Sequence, residues 1–301
     1  MKQKTERKLW QKFGAFDVVI YILLAVITFS MLFPFWNAVV LSFNEGKDAQ
    51  MGGIYFWPRK FTLANYEKVF TDPAIWRAFF VSVVRTILGT VTTLIVTPLF
   101  AYALSKPHLK FRKFYMGIML VSMYFNGGMI PTYLVIKNLG LINNFWVYIV
   151  TWMFNAFYAT IFLSFFRGLP NSLFESAKID GAGEWTIFFK LVIPLSKPVM
   201  AAVGLFVAVN HWNAWQDNLL YVKDEKLNTL SFLFVKMIKA QESLEGLAAQ
   251  TGVGELSKLA DVSSTTIQLA TMMVAVIPII CVYPFVQKYF ASGMMIGSIK
   301  G

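Results

Sequence analysis

The sequence predicts an all-α integral membrane protein with six transmembrane helices. Three observations carry this expectation. The 301 residues are 57% hydrophobic and only 14% charged, with a mean hydropathy of +0.58, whereas a soluble domain carries about 25% charged residues. Six segments stay apolar for roughly the 20 residues that cross about 30 Å of hydrocarbon as helix. Aromatic residues make up 17% of the chain, which suits rings gathered at two lipid–water interfaces.

The six segments are residues 16–43, 79–104, 114–136, 145–166, 198–221 and 265–290. The first is too long, and too rich in bulky residues at its end, for a cleaved leader. Orientation follows from the basic residues. The tail before the first segment holds Lys2, Lys4, Arg7, Lys8 and Lys12 against the single acid Glu6, and the connector "SKPHLKFRKF" holds Lys106, Lys110, Arg112 and Lys113 with no acid. With six spans these two regions, the connector after the fourth span and the C-terminus share one side, so both termini are expected in the cytoplasm. This gives a basic tail over 1–15, a membrane domain over 16–290 and a cytoplasmic tail over 291–301. The formal net charge of +11 therefore reads as a topology signal, and the expected partner is membrane lipid rather than nucleic acid.

The opposite side carries two long loops that mix bases with acids. One, over 44–78, contains "FWPRKFTLANYEKVF", where Trp57, Pro58 and Tyr66 have interfacial character. The other, over 222–264, contains "LSFLFVKMIKAQESLEGLAAQ". There Leu230, Phe234, Met237 and Ile238 recur at helical spacing and predict an amphipathic helix. Such a helix either rests on the membrane or forms a platform for an external partner.

Polar residues interrupt three of the apolar segments. "MYFNGGMIP" places Asn126, Gly127, Gly128 and Pro131 in the third, Asn155 lies in the fourth, and the fifth ends in "NHWNAWQDN". Irregular backbone survives at membrane depth only where protein or a wet cavity satisfies it. Asn126, Asn155, Asn210, Trp212, Asn213 and Trp215 are therefore candidates for a solute path. Amides bond hydroxyls and indoles cover the C–H face of a sugar; the competing reading is interhelical hydrogen bonding with an aromatic belt. Arg85, in the second segment, is expected to snorkel towards the outer interface, with cavity lining as the alternative.

Several chemistries are missing from the sequence. His108 and His211, the only histidines, fall on opposite sides of the membrane in this topology, so no metal site is expected. Cys281, the only cysteine, permits no intrachain disulfide and is expected as a small buried side chain. HExxH, GxSxG and Walker A patterns are absent, and no chain of intramembrane carboxylates marks a proton relay. The chain is thus expected to be no enzyme, to hold no cofactor, and to need a partner for any energy-driven step.

The connector over 170–194 is the most distinctive stretch: "ESAKIDGAGEWTIFFKLVIP" from Glu175 to Pro194. Ser172 with Glu175 reads as a capping box that starts a helix after Pro170 and Asn171. Gly181 is placed to end that helix in a left-handed conformation. A second helix is expected from Gly183 to just before Pro194, with Pro198 in the first turn of the fifth span. "ESAKIDG", nine residues, then "LVIP" resembles the EAA loop of ABC importer permeases, E-A-A-x-x-x-G-x₉-I-x-L-P. Glu175, Ala177, Gly181 and Pro194 match, Ser176 replaces the second alanine, and Leu191 and Ile193 depart conservatively. "GGMIPTYLVIKNLGLINNFW", "WNAWQDNLLYV" and "QKYFASGMMIGSIKG" are similar to the maltose-type carbohydrate-uptake branch, closest to permeases for complex oligosaccharides paired with lipoprotein binding proteins.

That resemblance, which covers essentially the whole chain, implies the type I importer permease fold in a bacterial cytoplasmic membrane. It implies that Glu175, Ser176, Ala177, Asp180, Gly181 and Ala182 form a coupling helix docked into a cytoplasmic ATPase. It also implies a second homologous permease chain, two copies of that ATPase carrying ATP and Mg, and an extracytoplasmic binding lipoprotein that delivers an oligosaccharide. The tail over 288–301 resembles one that reaches between the ATPases. Two alternatives stand beside it: a permease of the same architecture for a peptide or polyamine, and a membrane-embedded enzyme, which the absent motifs disfavour.

Overall fold

The structure, a computed structural model, describes residues 14–251 and 264–293. The basic tail, part of the 222–264 loop and the end of the C-terminal tail lie outside the described residues. Among the described residues the chain is helical, with one isolated antiparallel bridge between Asn44 and Phe61. It divides into two compact units, Met1–Lys68 with Val253–Met273 and Val69–Gly252 with Val274–Gly301.

The first unit contains α1 (Ala15–Ser42), the short α2 (Gly46–Ala49) and most of α3 (Ala64–Thr71). α1 is apolar over most of its length and exposed until its end, where Val40 and Ser42 become buried, as expected of a helix whose solvent is lipid. At its end a polar knot organises the first long loop. Asn65 donates to the carbonyls of Ser42 and Asn44, and Thr266 donates to Asn65. Asn44 reaches the carboxylate of Asp48, which also pairs with Arg59.

The second unit is built on α4 (Pro73–Ser105). Asp72 caps it by accepting from the Ala74 N–H at 2.8 Å, and Pro73 occupies its first turn, where a missing N–H costs nothing. Against α4 pack α8 (Ala156–Arg167) and α11 (Lys197–Asn213). One buried cluster joins Ala101, Tyr102 and Leu104 of α4 to Phe162, Phe166, Phe188 and Val203. A second joins Val81 to Ile136, Tyr148 and Tyr221. Val81 and Ala101 are separated by about 30 Å of helix, so the bundle is pinned near both ends.

The apolar segments fall where the sequence puts them, but three are not single helices. The third is α5 (Arg112–Tyr124) and α6 (Met129–Asn138), bent by 119°. Gly128 turns the chain at a φ of +91°, and Asn126 accepts from its N–H. The fourth begins with the single turn α7 (Val147–Val150), and α8 starts afresh when Asn155 accepts from the Tyr158 N–H. The fifth ends at Asn213, and α12 (Gln216–Tyr221) follows an extended Ala214. α13 (Leu230–Thr251) is the expected loop helix; Leu230 is buried and donates its N–H to Ser82. α14 (Ser264–Gly293) is the last apolar segment. Cys281 on it is exposed rather than buried, because an apolar flank facing lipid needs no protein cover.

Arg85 does not snorkel. It is fully buried, forms a two-point ion pair with Asp217, donates to the Ala214 carbonyl at 3.0 Å and lies 4.5 Å from the centre of the Tyr148 ring. The cost of leaving water is offset by this fork and by the ring, which lipid headgroups would not supply at that depth. One turn along α4, Gly89 leaves room for the His211 imidazole, which a Cβ at position 89 would strike. The same ring lies 5.4 Å from that of Trp152.

Candidate coupling loop and polar face

The connector between the α8 and α11 spans folds as two helices, α9 (Asn171–Ile179) and α10 (Glu184–Leu195). α9 buries no residue, and Ile179 is 86% exposed. Its start differs from expectation. Pro170 is the N-cap and no side-chain cap forms, so Ser172 and Glu175 sit inside the helix and the capping box is not made. Pro170 already sets the required backbone, leaving both side chains on the exposed surface.

The end of α9 matches the expectation closely. Gly181 has a φ of +75°, the Ala182 N–H bonds the Ala177 carbonyl at 2.9 Å, and the Gly181 N–H bonds that of Lys178 at 3.0 Å. These are the two bonds of a Schellman closure, which satisfy carbonyls the helix end would otherwise orphan. Phe174, Ala177 and Ala182 turn towards the buried cluster, while Glu175, Ser176, Asp180 and Gly181 face outward. The loop therefore presents a rigid polar ridge anchored by an apolar underside.

α10 runs past the expected stop. A π-turn over Phe188–Val192 precedes Pro194, which lies inside the final turn. Widening the helix there accommodates a residue that lacks an N–H. Ser196 then donates to the Val192 carbonyl, and α11 departs at 80° with Pro198 in its first turn, as expected. Trp185, 68% exposed, stacks on Phe189 beside the ridge.

Glu184 ties this loop to the end of α4. It accepts from the Tyr102 hydroxyl at 2.7 Å and pairs with Lys106 at 3.0 Å and Lys178 at 3.5 Å. Burial opposes its charge, yet the hydrogen bonds from Tyr102 and Lys106 and the nearby lysine charges hold its carboxyl below the ordinary value. The folded form thus favours the carboxylate. Its stabilisation is present above the ordinary value of 4.5 and is lost as pH falls through the lower folded value. Glu184→Gln is expected to remove that acid-side component from the melting curve of the purified chain, modestly because the carboxylate is half exposed. An unchanged loss of stability on acidification in the variant would assign it to another group.

The candidates for a solute path separate into two pairs and two single residues. Asn155 and Asn210 meet at Tyr158: Asn155 caps its N–H and the Asn210 amide donates to its hydroxyl at 2.9 Å. Asn126 and Trp215 line one cavity of about 430 Å³ with Thr132, Gln216 and Tyr221. Asn213 is exposed at the end of α11. Trp212 stands apart: it is buried, donates its indole N–H to the Ala275 carbonyl at 3.0 Å and meets Phe79 edge-on. It is a packing residue between α11 and α14. Asn210 and Asn213 are exposed on α11, and amides at this depth face a wet passage or another chain rather than hydrocarbon.

Sequence reasoning missed the Arg85–Asp217 pair and the Glu184 hub. The first had a signal that no local pattern carries: two opposite charges at apolar depth, in segments far apart in sequence, call for each other. The second had none, since Lys106 and Glu184 are ordinary surface residues by sequence.

Residues 74–215 match the family described as binding-protein-dependent transport system inner membrane component. The chain is 36% identical over 286 residues, 95% of its length and 98% of the relative's, to the polygalacturonan/rhamnogalacturonan transport system permease protein YtcP of Bacillus subtilis. It is 38% identical to protein LplC of the same organism, covering 95% of each chain. Among solved structures, a chain of a bacterial ABC transporter involved in the import of the acidic polysaccharide alginate superposes with a TM-score of 0.82. The two are 30% identical, over 91% of this chain and 96% of that one. Taken with the broken spans and the exposed connector, these full-length similarities show that the chain belongs to the family of inner membrane components of binding-protein-dependent transport systems.

Proposed function

We propose that this chain is one half of the translocation pathway of an ATP-driven oligosaccharide importer. The observation that carries the reading is the Schellman-closed ridge of α9, exposed on a connector whose sequence resembles the ABC coupling loop. Exposed polar side chains on a backbone this rigid, held by an apolar underside, suit docking and force transmission. The end-to-end similarity to a permease protein for polygalacturonan and rhamnogalacturonan, and to an alginate importer, supports saccharides as the cargo.

In this reading the connector and both termini face the cytoplasm, and the 222–264 loop faces the binding protein. A second permease completes the pathway, and two ATPases hold ATP and Mg. Asn126, Asn155, Asn210, Asn213 and Trp215 line the sugar path, with Trp212 supporting it from behind. The purified chain is expected to bind no ATP. Reconstituted with a second permease, the ATPases and the binding protein, it is expected to support hydrolysis stimulated by oligosaccharide and not by peptide or polyamine. ATP binding by the isolated chain, or stimulation by peptide or polyamine in place of sugar, would overturn the assignment.

A further inference from the structure

The exposed ridge of α9 reaches the membrane spans by two routes. One is the chain itself, since α10 continues into α11 through the 80° bend. The other leads to α4 and is not covalent. There the Tyr102 ring packs on Phe188 with centroids 5.1 Å apart. Apolar burial resists separation but is non-directional, so it permits sliding. A contact that also fixes direction needs polar geometry.

Lys106, which follows the last residue of α4, supplies it. Its ammonium lies 4.2 Å from the centre of the Tyr102 ring on α4 and 4.6 Å from that of Phe174 on α9. It pairs at 3.0 Å with Glu184 on α10, and the same carboxylate oxygen accepts from the Tyr102 hydroxyl. The side chain is only 25% exposed, and a cation between two ring faces is held more firmly than one in water. One lysine thus ties α4, α9 and α10 together. Arg112 fixes the same end of α4 by donating to the Leu104 carbonyl at 2.9 Å. Lys178, on the other oxygen of Glu184, is 58% exposed, and such a pair contributes little.

From Ser105, α4 runs back about 30 Å to Arg85. There the pair with Asp217 and the bond to the Ala214 carbonyl grip the break between α11 and α12. α4 is therefore fastened near both ends, by a cation each time, to the stretch from α9 to α12.

We propose that Lys106 is a positioning residue for transport, the strut through which motion of the α9 ridge reaches α4. With the strut in place, a push on α9 moves α4 and α11 together. Without it, α4 can slip along Phe188 and the ridge moves α11 alone. This rests on the importer reading, in which α9 docks an ATPase.

The test uses the complete transporter in proteoliposomes, with trigalacturonate, arabinotriose and raffinose as probes. Lys106→Met keeps an apolar stem between the rings and removes the charge. It is expected to retain the ATPases and basal hydrolysis, and to lower both uptake and the ratio of sugar-stimulated to basal hydrolysis about tenfold. That is within the range of free energies that couple two sites. A merely structural role would lower basal and stimulated hydrolysis together. Lys106→Arg is expected to stay within about twofold of wild type, because a guanidinium also stacks on rings and pairs with a carboxylate. A Lys106→Met complex that loses its ATPases, or that keeps them with unchanged ratio and uptake, would overturn the inference, as would an Arg variant as impaired as Met. Should Lys106→Met fail to accumulate, Tyr102→Phe decides: it keeps the ring and loses the bond to Glu184, and an unchanged ratio there would overturn the strut. A wild type stimulated by none of the three sugars would sink the importer reading itself.

Discussion

Gly181→Asp is expected to leave the chain in the membrane at near wild-type level while abolishing sugar uptake and co-purification of the ATPase. The two halves of that expectation have separate causes. At a φ of +75° a non-glycine residue costs on the order of 1 kcal/mol, a small part of a stability of about 5–15 kcal/mol. A Cβ at this position meets nothing within 4 Å, so no clash adds to that cost. The chain itself should tolerate the change. The same open space is what a docked ATPase would fill, and a carboxylate there would crowd it. Glu175→Gln is expected to be milder, because Glu175 closes no capping box and contributes only from the exposed ridge. Measuring ATPase retention and uptake for each variant separates the cases. Normal retention and uptake in Gly181→Asp would reduce the connector to a structural turn.

The largest effect on stability is expected from Arg85→Ala. Removing one partner of a buried pair leaves an uncompensated charge and costs about 3–5 kcal/mol. Here the stranded group is Asp217, and the Ala214 carbonyl loses its donor at the same time. The variant should accumulate poorly and, in detergent, melt well below the wild type. Arg85→Lys should recover only part, since one ammonium cannot reproduce the fork to Asp217 and Ala214. Replacing both partners together, Arg85→Met with Asp217→Leu, should recover stability better than either single change, because no buried charge remains. A thermal melt of Arg85→Ala indistinguishable from wild type would show that the pair carries no stability.

Much of this architecture was legible because lipid imposes a coarse rule: a helix must stay apolar for the width of the membrane. That rule located α1, α4 and α14, and the period of Leu230, Phe234 and Met237 located α13. Gly181 was legible for a local reason, since its closure is made within six residues. Angles were not legible. The 119° bend before Met129 and the 80° bend before Lys197 depend on what each half-helix packs against, and composition is blind to that. Capping at Ser172 failed because Pro170 took the same role two residues earlier. Arg85 was misread because its partner lies 132 residues away, beyond any local pattern. Among the candidates for the path, Asn155 with Asn210 and Asn126 with Trp215 proved to be neighbours. Trp212 shared their composition but turned its indole to the Ala275 carbonyl, a choice fixed by helix rotation alone.

The contact of Gly89 with His211 bears on how such chains diverge. The imidazole occupies the volume a side chain at position 89 would need, and neither ring nitrogen bonds a partner among the described residues. A larger side chain at 89 therefore requires the ring at 211 to move or to be replaced by a smaller one. A volume limit of this kind ties two positions that are 122 residues apart in the chain.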